Sequence, residues 1–104
     1  MAYEILVGLY VKDEDGYQKY REGMRPILET YGGTFSYDFR VSEVLRSQTE
    51  HAINRVFTIR FPDETARTAF FADAAYLKVR AQFFDASVSG VTTIATYETD
   101  RPPL

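Results

Sequence analysis

Alternating apolar and polar side chains in three segments, and a run of β-branched residues in a fourth, indicate four β-strands along this chain. The first covers residues 3–11, where every second side chain is apolar, and the second begins at Thr34. The third covers residues 54–61, and a run rich in Val, Thr and Ile makes residues 87–97 the last strand. Each strand therefore has one face suited to a core and one face of mixed character.

Two helical segments separate these strands. The first carries an apolar stripe at helical spacing, with Asp13 placed to cap its start and Gly32 placed to end it. Pro26 lies inside this segment and predicts a kink rather than two separate helices. The second segment begins after Pro62 and, following a short break, continues over residues 75–84.

The element order βαββαβ predicts an α+β, ferredoxin-like fold: a four-stranded antiparallel sheet with both helical segments on one face. At 104 residues the chain is long enough for one domain. We expect that domain to cover residues 1–98 and a C-terminal tail to cover residues 99–104. The other sheet face is left uncovered and carries apolar side chains, for which a symmetric homodimer is the simplest cover. These are Leu6, Tyr10, Val56 and Ile94.

Composition and charge exclude several classes of function. Fifteen acidic and twelve basic residues give a formal charge of −3, which disfavours a nucleic-acid partner. The chain has no cysteine and one histidine, His51, which we place in a polar loop. We therefore expect no metal site and no bound cofactor. No run of residues is long and apolar enough to predict a membrane span, and we expect a cytoplasmic protein.

The candidate chemistry lies on the uncovered face. In the second and third strands, most even-numbered side chains are polar and share that face with the apolar Val56, joined by Tyr10 from the first strand and Thr92 from the last. A hairpin loop centred near residue 49 would place Asp38 opposite Arg60, predicting an ion pair. Two interpretations stay open: an ion-paired dimer interface, or a semi-polar cavity that binds a small organic molecule when two sheets meet. The polar cluster comprises Ser36, Asp38, Arg40, Thr58 and Arg60.

Several short motifs, taken in order, resemble a known family. Tyr17 and Tyr20-Arg21 occur in the first helix, and Tyr31-Gly32-Gly33 follows it. Further matches are Phe61-Pro62 before the second helix, Ala66, and the stretch Tyr76-Leu77-Lys78 with Arg80. Together they resemble the domain of unknown function 1330 family, in the dimeric α+β barrel superfamily, over residues 3–97.

That resemblance implies a two-subunit barrel and no defined activity. Related families in the superfamily include cofactor-free monooxygenases, isomerases that act on lactones, and haem-binding proteins. Three hypotheses follow. The protein binds a small organic molecule without chemistry, it is a cofactor-free monooxygenase or isomerase acting on a small aromatic or lactone-like substrate, or it is a structural dimer without a ligand.

Overall fold

The computed structural model describes residues 1–102 and contains one antiparallel four-stranded sheet in the order β2-β3-β1-β4. Its strands are β1 (Ala2–Val11), β2 (Thr34–Arg40), β3 (Arg55–Phe61) and β4 (Val88–Thr99). All helices lie on one face of this sheet, so the predicted ferredoxin-like α+β fold is confirmed. Within these residues no helix is long and apolar enough to cross a membrane.

Helix α1 (Glu14–Thr30) begins and ends where the sequence predicts. The Asp13 side chain accepts a hydrogen bond from the backbone N–H of Gly16 at 3.1 Å, which caps the first turn. The helix continues through Pro26 without a break. Gly32 has a φ of +74°, a left-handed conformation that a residue with a Cβ adopts only with strain.

The second helical segment is built from four short pieces: α2 (Glu64–Ala72), α3 (Ala74–Val79), a π-helical turn (Arg80–Phe84) and α4 (Asp85–Ser87). The predicted break falls at Asp73, whose carboxylate caps α3 by accepting from the Tyr76 N–H at 3.0 Å. This segment lies against the sheet as a bent layer. The core between sheet and helices includes Leu9, Met24, Phe61 and Phe70, all almost fully buried.

A one-residue bulge at Ser36 divides β2 into two parts with opposite orientation. Phe35 pairs with Ile59 on the helix side, but Tyr37 pairs with Thr58 on the uncovered side, so Ser36 has no partner in the ladder. From Tyr37 onward, the side chains of β2 therefore point to the opposite face from the one that simple alternation predicts.

Because of this bulge, two of the predicted site residues lie on the other face of the sheet from the one predicted. Asp38 and Arg40 lie on the helix side of the sheet, where each reaches a side chain of α1. Their places on the uncovered face are taken by Tyr37 and Phe39, whose rings stack 5.8 Å apart and are 50% and 54% exposed.

The predicted Asp38–Arg60 pair is wrong. In the observed register Arg60 pairs with Thr34 and Asp38 pairs with Phe57. The prediction assumed a loop centred near residue 49, whereas the connection between the strands covers residues 41–54 and is centred between residues 47 and 48. With this centre, an even-numbered residue of β2 beyond the bulge, such as Asp38, pairs with an odd-numbered residue of β3 and not with Arg60.

Part of the predicted C-terminal tail lies against the sheet. Strand β4 continues through Thr99, beyond the boundary expected at residue 98. Arg101 then folds back onto the uncovered face and forms an ion pair with Glu4. Residues 103–104 of the predicted tail lie outside the described residues.

Candidate functional site

A pocket of about 260 Å³ lies between the sheet and the second helical segment. We call it the helix-side pocket. Its floor consists of apolar side chains of β1 and β3, and one rim is formed by Val91 and Thr93 of the exposed strand β4. The helical layer supplies Tyr20, Arg67, Phe71, Tyr76, Arg80 and Phe84.

Two tyrosine hydroxyl groups meet in this pocket. The Oη atoms of Tyr20 and Tyr76 are 2.9 Å apart and buried. Burial, reinforced by the adjacent Tyr76, raises the pKa of Tyr20 far above its ordinary value, so this phenol stays protonated. Each phenol has one proton, so one hydroxyl donates to the other and one proton is left over. Among residues 1–102, neither hydroxyl makes another hydrogen bond, and the left-over proton is therefore available to a ligand.

Two guanidinium groups line the same pocket. The Arg67 guanidinium carbon lies 5.7 Å from the centre of the Phe71 ring, and that of Arg80 lies 5.0 Å from the centre of the Phe84 ring. The Nε atom of Arg67 is buried, and within the described residues it has no hydrogen-bond partner. Buried polar groups are nearly always paired, so this N–H is an unusual, unsatisfied donor on a residue that lines the helix-side pocket.

The π-helical turn brings Arg80 and Phe84 to the pocket. In this turn the Asp85 N–H bonds to the carbonyl of Arg80, five residues earlier, instead of the usual four. The wider turn carries Arg80 at its start and the buried Phe84 at its end. Single π-turns inside α-helical segments often occur at functional sites.

The uncovered sheet face carries a buried carboxylate. Glu4 is fully buried, accepts hydrogen bonds from Tyr97 Oη at 2.7 Å and Ser36 Oγ at 3.3 Å, and is paired with the Arg101 and Arg60 guanidinium groups. Burial alone would raise the pKa of Glu4, but the hydrogen bonds and the Arg101 charge outweigh it and lower that pKa. The group therefore stays ionised.

Four of the six predicted site residues lie on this face. Ser36 and Arg60 contact Glu4, Thr58 Oγ1 accepts from the Tyr37 backbone N–H at 3.0 Å, and Tyr10 is 36% exposed. The structure thus brings Ser36 and Arg60 together around Glu4.

Asp38 instead joins a network under α1. Its carboxylate accepts from Arg21 at 3.1 and 3.3 Å and from Arg55 at 2.8 and 3.0 Å. Arg21 is 4% exposed, and its guanidinium carbon lies 3.9 Å from the centre of the Phe35 ring. Burial alone would raise the pKa of Asp38, but the bonds from both arginines lower it overall. Arg40, the other predicted site residue on the helix side, forms within residues 1–102 one long ion pair, with Glu14 at 4.0 Å. This network fastens α1 to β2 and β3.

The connection at residues 41–54 lies over part of the uncovered face and leaves an open cleft of about 860 Å³. His51 holds this connection to β4, because its Nε2 lies 2.7 Å from Thr92 Oγ1. The ring packs directly on Gly90, where any Cβ would come within 2.4 Å of it. His51 is thus a structural contact of the loop rather than a freely solvated side chain.

Sequence reasoning missed Arg67, Arg80, Tyr97 and Arg101. One signal for the first two was present: the second helical segment twice contains an Arg followed four residues later by Phe, the spacing that places a cation on a ring. No comparable pattern indicates that Arg101 returns to Glu4. Within residues 1–102 there is no group of three or more His, Cys, Asp or Glu side chains placed to hold a metal ion.

A family model described as a domain of unknown function, DUF1330, matches residues 1–97. No curated protein matches the sequence.

Solved structures share the fold at low sequence identity. A protein of unknown function from Rhodopseudomonas palustris has 17% identity and a TM-score of 0.78, covering 97% of this chain and 84% of its own. A dimeric ferredoxin-like protein of unknown function from Jannaschia has 18% identity and a TM-score of 0.57, covering 95% and 100%. A candidate antibiotic biosynthesis monooxygenase from Nitrosomonas europaea has 20% identity and a TM-score of 0.57, covering 97% and 92%. At such identities the likeness concerns the fold alone.

Proposed function

Because this chain belongs to the DUF1330 family, which is defined without an activity, we propose a function from its own geometry. The protein is a homodimer, and each subunit binds one small organic molecule in the helix-side pocket. The uncovered face of the sheet joins the two subunits, and the helix-side face of the same sheet forms the floor of the pocket.

The observation that carries this proposal is the composition of the helix-side pocket. Apolar and aromatic walls surround a few polar groups that converge on one space, which is the usual design of a small-molecule site. The Arg67 Nε–H and one proton of the Tyr20–Tyr76 pair have no acceptor among residues 1–102. A core built only for stability would pair these donors.

The dimer is supported by the exposed side chains of the uncovered face. Tyr37 and Phe39 on β2 are 50% and 54% exposed, and Ile94 on β4, at the other edge of the same face, is 49% exposed. Exposed aromatic side chains of this kind favour a protein interface, and a second copy would cover them with about 800 Å² per partner. Of the predicted residues, Tyr10, Ser36, Thr58 and Arg60 then belong to the interface, whereas Asp38 and Arg40 lie on the other face of the sheet.

The assembly is tested by light scattering after gel filtration. We expect twice the 12.0 kDa of one chain for the wild type. Phe39→Glu is expected to yield monomers, because it places charge in the proposed interface. Leu77→Glu is the matched control, since Leu77 is 46% exposed on the helical layer. A monomeric wild type, or equal dissociation by both variants, would refute the interface.

Binding is tested by ligand-detected NMR with a library of small organic molecules. A tryptophan at Thr93 narrows the pocket rim and is expected to abolish binding. Thr96 lies on the same strand and the same face as Thr93 but outside the pocket, so Thr96→Trp is the control and is expected to bind ligand as the wild type does. Loss of binding in both variants, or in neither, would show that the ligand occupies another place.

A cofactor-free monooxygenase or isomerase is the second candidate. It is favoured by the unused hydrogen-bond donors, because such groups stabilise an oxygen on which negative charge develops during a reaction. Incubating a bound library member with the protein in air, followed by mass spectrometry, separates the candidates. A ligand recovered unchanged supports binding without chemistry, and a protein-dependent oxygenated or isomeric product supports the enzyme.

A further inference from the structure

We infer that the helix-side pocket selects a single-ring aromatic molecule bearing an anionic oxygen, a carboxylate or a phenolate. This inference rests on the proposed function and adds the charge and shape of the ligand. The anionic oxygen accepts from Arg67 and from the tyrosine pair, and the ring lies among the aromatic walls.

The charge of the lining carries the first part of the inference. Arg67 and Arg80 both line the pocket, and no carboxylate lines it. Asp85, the acidic partner of Arg80, is 3.9 Å from the Arg80 Nε and two-thirds exposed, so it neutralises that charge only weakly. The whole chain carries a formal charge of −3. Arg67, which has no ion pair within residues 1–102, and the weakly paired Arg80 together favour an anionic ligand.

The hydrogen-bond inventory carries the second part. Guanidinium groups donate and do not accept, and Tyr20 stays protonated, so the pocket offers several donors. The buried Nε–H of Arg67 and the left-over proton of the Tyr20–Tyr76 pair both lack an acceptor within residues 1–102. A ligand that brings an oxygen with several lone pairs satisfies both, and ionised acceptors form the stronger bonds.

The walls and the volume carry the third part. The Tyr20 and Phe84 rings lie 4.8 Å apart and the Phe71 and Tyr76 rings 5.6 Å apart, so planar groups already define the space. The volume of about 260 Å³ is just below the range of about 300–1,000 Å³ that is usual for ligand sites. One aromatic ring with a small substituent fits this space better than a polycycle.

The test compares each anion with a neutral molecule of similar shape. Benzoate is paired with benzamide, and 2,4-dinitrophenolate with 1,3-dinitrobenzene, so the two pairs distinguish carboxylate from phenolate. Dissociation constants are measured by ligand-detected NMR at pH 7. We expect at least one anion to bind about tenfold more tightly than its neutral counterpart, the effect of one charge-assisted hydrogen bond. In protein-detected NMR spectra of the same titration, the chemical shift of the Arg67 Nε–H is expected to change.

Variants then locate the effect. Arg67→Met keeps the apolar stem and is expected to make the anion and its neutral counterpart bind equally. Arg67→Lys keeps the charge without the Nε–H and is expected to restore part of the preference. Arg25→Met removes an exposed arginine of α1 outside the pocket and is expected to leave the preference unchanged. If Arg67→Met does not fold, the anion preference of the wild type and its partial loss in Arg67→Lys still test the inference.

The outcomes separate the two proposals. Equal binding of anions and neutral molecules, abolished by Thr93→Trp, would overturn the inference on charge and leave the pocket function intact. A preference for anions that survives Arg67→Met would also overturn it, because the charge would then lie elsewhere. Binding of none of the four probes at millimolar concentration would overturn the inference on ligand class, whereas the proposed function falls only if the library also yields no ligand that Thr93→Trp abolishes.

Discussion

Breaking the Asp38 network provides a direct test of the register of β2. Asp38→Ala removes the carboxylate that pairs with Arg21. The Arg21 side chain, which is 4% exposed, would then keep its charge buried against the Phe35 and Tyr17 rings. Removing one partner of a buried pair costs about 3–5 kcal/mol, and because 32% of the Asp38 side chain is exposed we expect the low end, about 3 kcal/mol. For a domain of this size, each kcal/mol lowers the melting temperature by about 4–8 °C.

The assay is urea unfolding at fixed protein concentration, arranged as two double-mutant cycles. Asp38→Ala with Arg21→Met should show a coupling free energy of about 1–3 kcal/mol, because the two side chains are in contact. Asp38→Ala with Arg60→Met should be additive within about 0.5 kcal/mol, because these residues lie on opposite faces. Glu50→Ala, in the exposed loop, is the matched control and should be neutral. Coupling to Arg60 but not to Arg21 would refute the bulge and the register.

Three further predictions concern other parts of the molecule. Gly32→Ala should lower the unfolding free energy by about 1–2 kcal/mol, because φ is +74° and the new Cβ would lie 2.7 Å from Pro62 Cγ; unchanged stability would contradict this geometry. The pKa values of Glu4 and Asp38 are lowered in the fold, so both stabilise it above their unfolded pKa values, near 4, and that stabilisation is lost as pH falls through the folded values. The melting temperature should therefore fall below about pH 4, less steeply in Glu4→Gln, and identical slopes would refute the assignment. Gly90→Ala should displace His51 and release residues 41–54, so proteolysis of that connection should accelerate. Ser89→Ala, at the exposed neighbouring position, is the control and should leave the rate unchanged. Equal rates in Gly90→Ala and the wild type would contradict the packing.

The fold was predictable because its signals are local. Alternation marked the first three strands, a run of Val, Thr and Ile marked the fourth, Asp13 and Gly32 marked the ends of α1, and the order of elements indicated the sheet. The uncovered face followed from topology alone. These features depend on residues near one another in sequence, where period and capping chemistry are directly visible.

The site was less predictable because its geometry depends on contacts distant in sequence. The bulge at Ser36 adds one residue to one strand and has no marker such as Gly or Pro in the sequence, so Asp38 and Arg40 were assigned to the wrong face. The hydroxyl pair of Tyr20 and Tyr76 joins residues 56 positions apart. Their helical spacing predicts burial, but it cannot predict that the two oxygens meet or that a pocket remains beside them.

The bulge at Ser36 also means that β2 holds one residue more than its ladder with β3 uses. Phe35 pairs with Ile59 and Tyr37 with Thr58, so a strand without residue 36 would pair residue for residue with β3. Tyr37 and Phe39 would then stay on the uncovered face, and Asp38 would stay beside Arg21. The deletion would remove the hydrogen bond from Ser36 to Glu4 and the extra local twist that a bulge adds. Among related sequences, a gap at this position should therefore be compatible with the same fold.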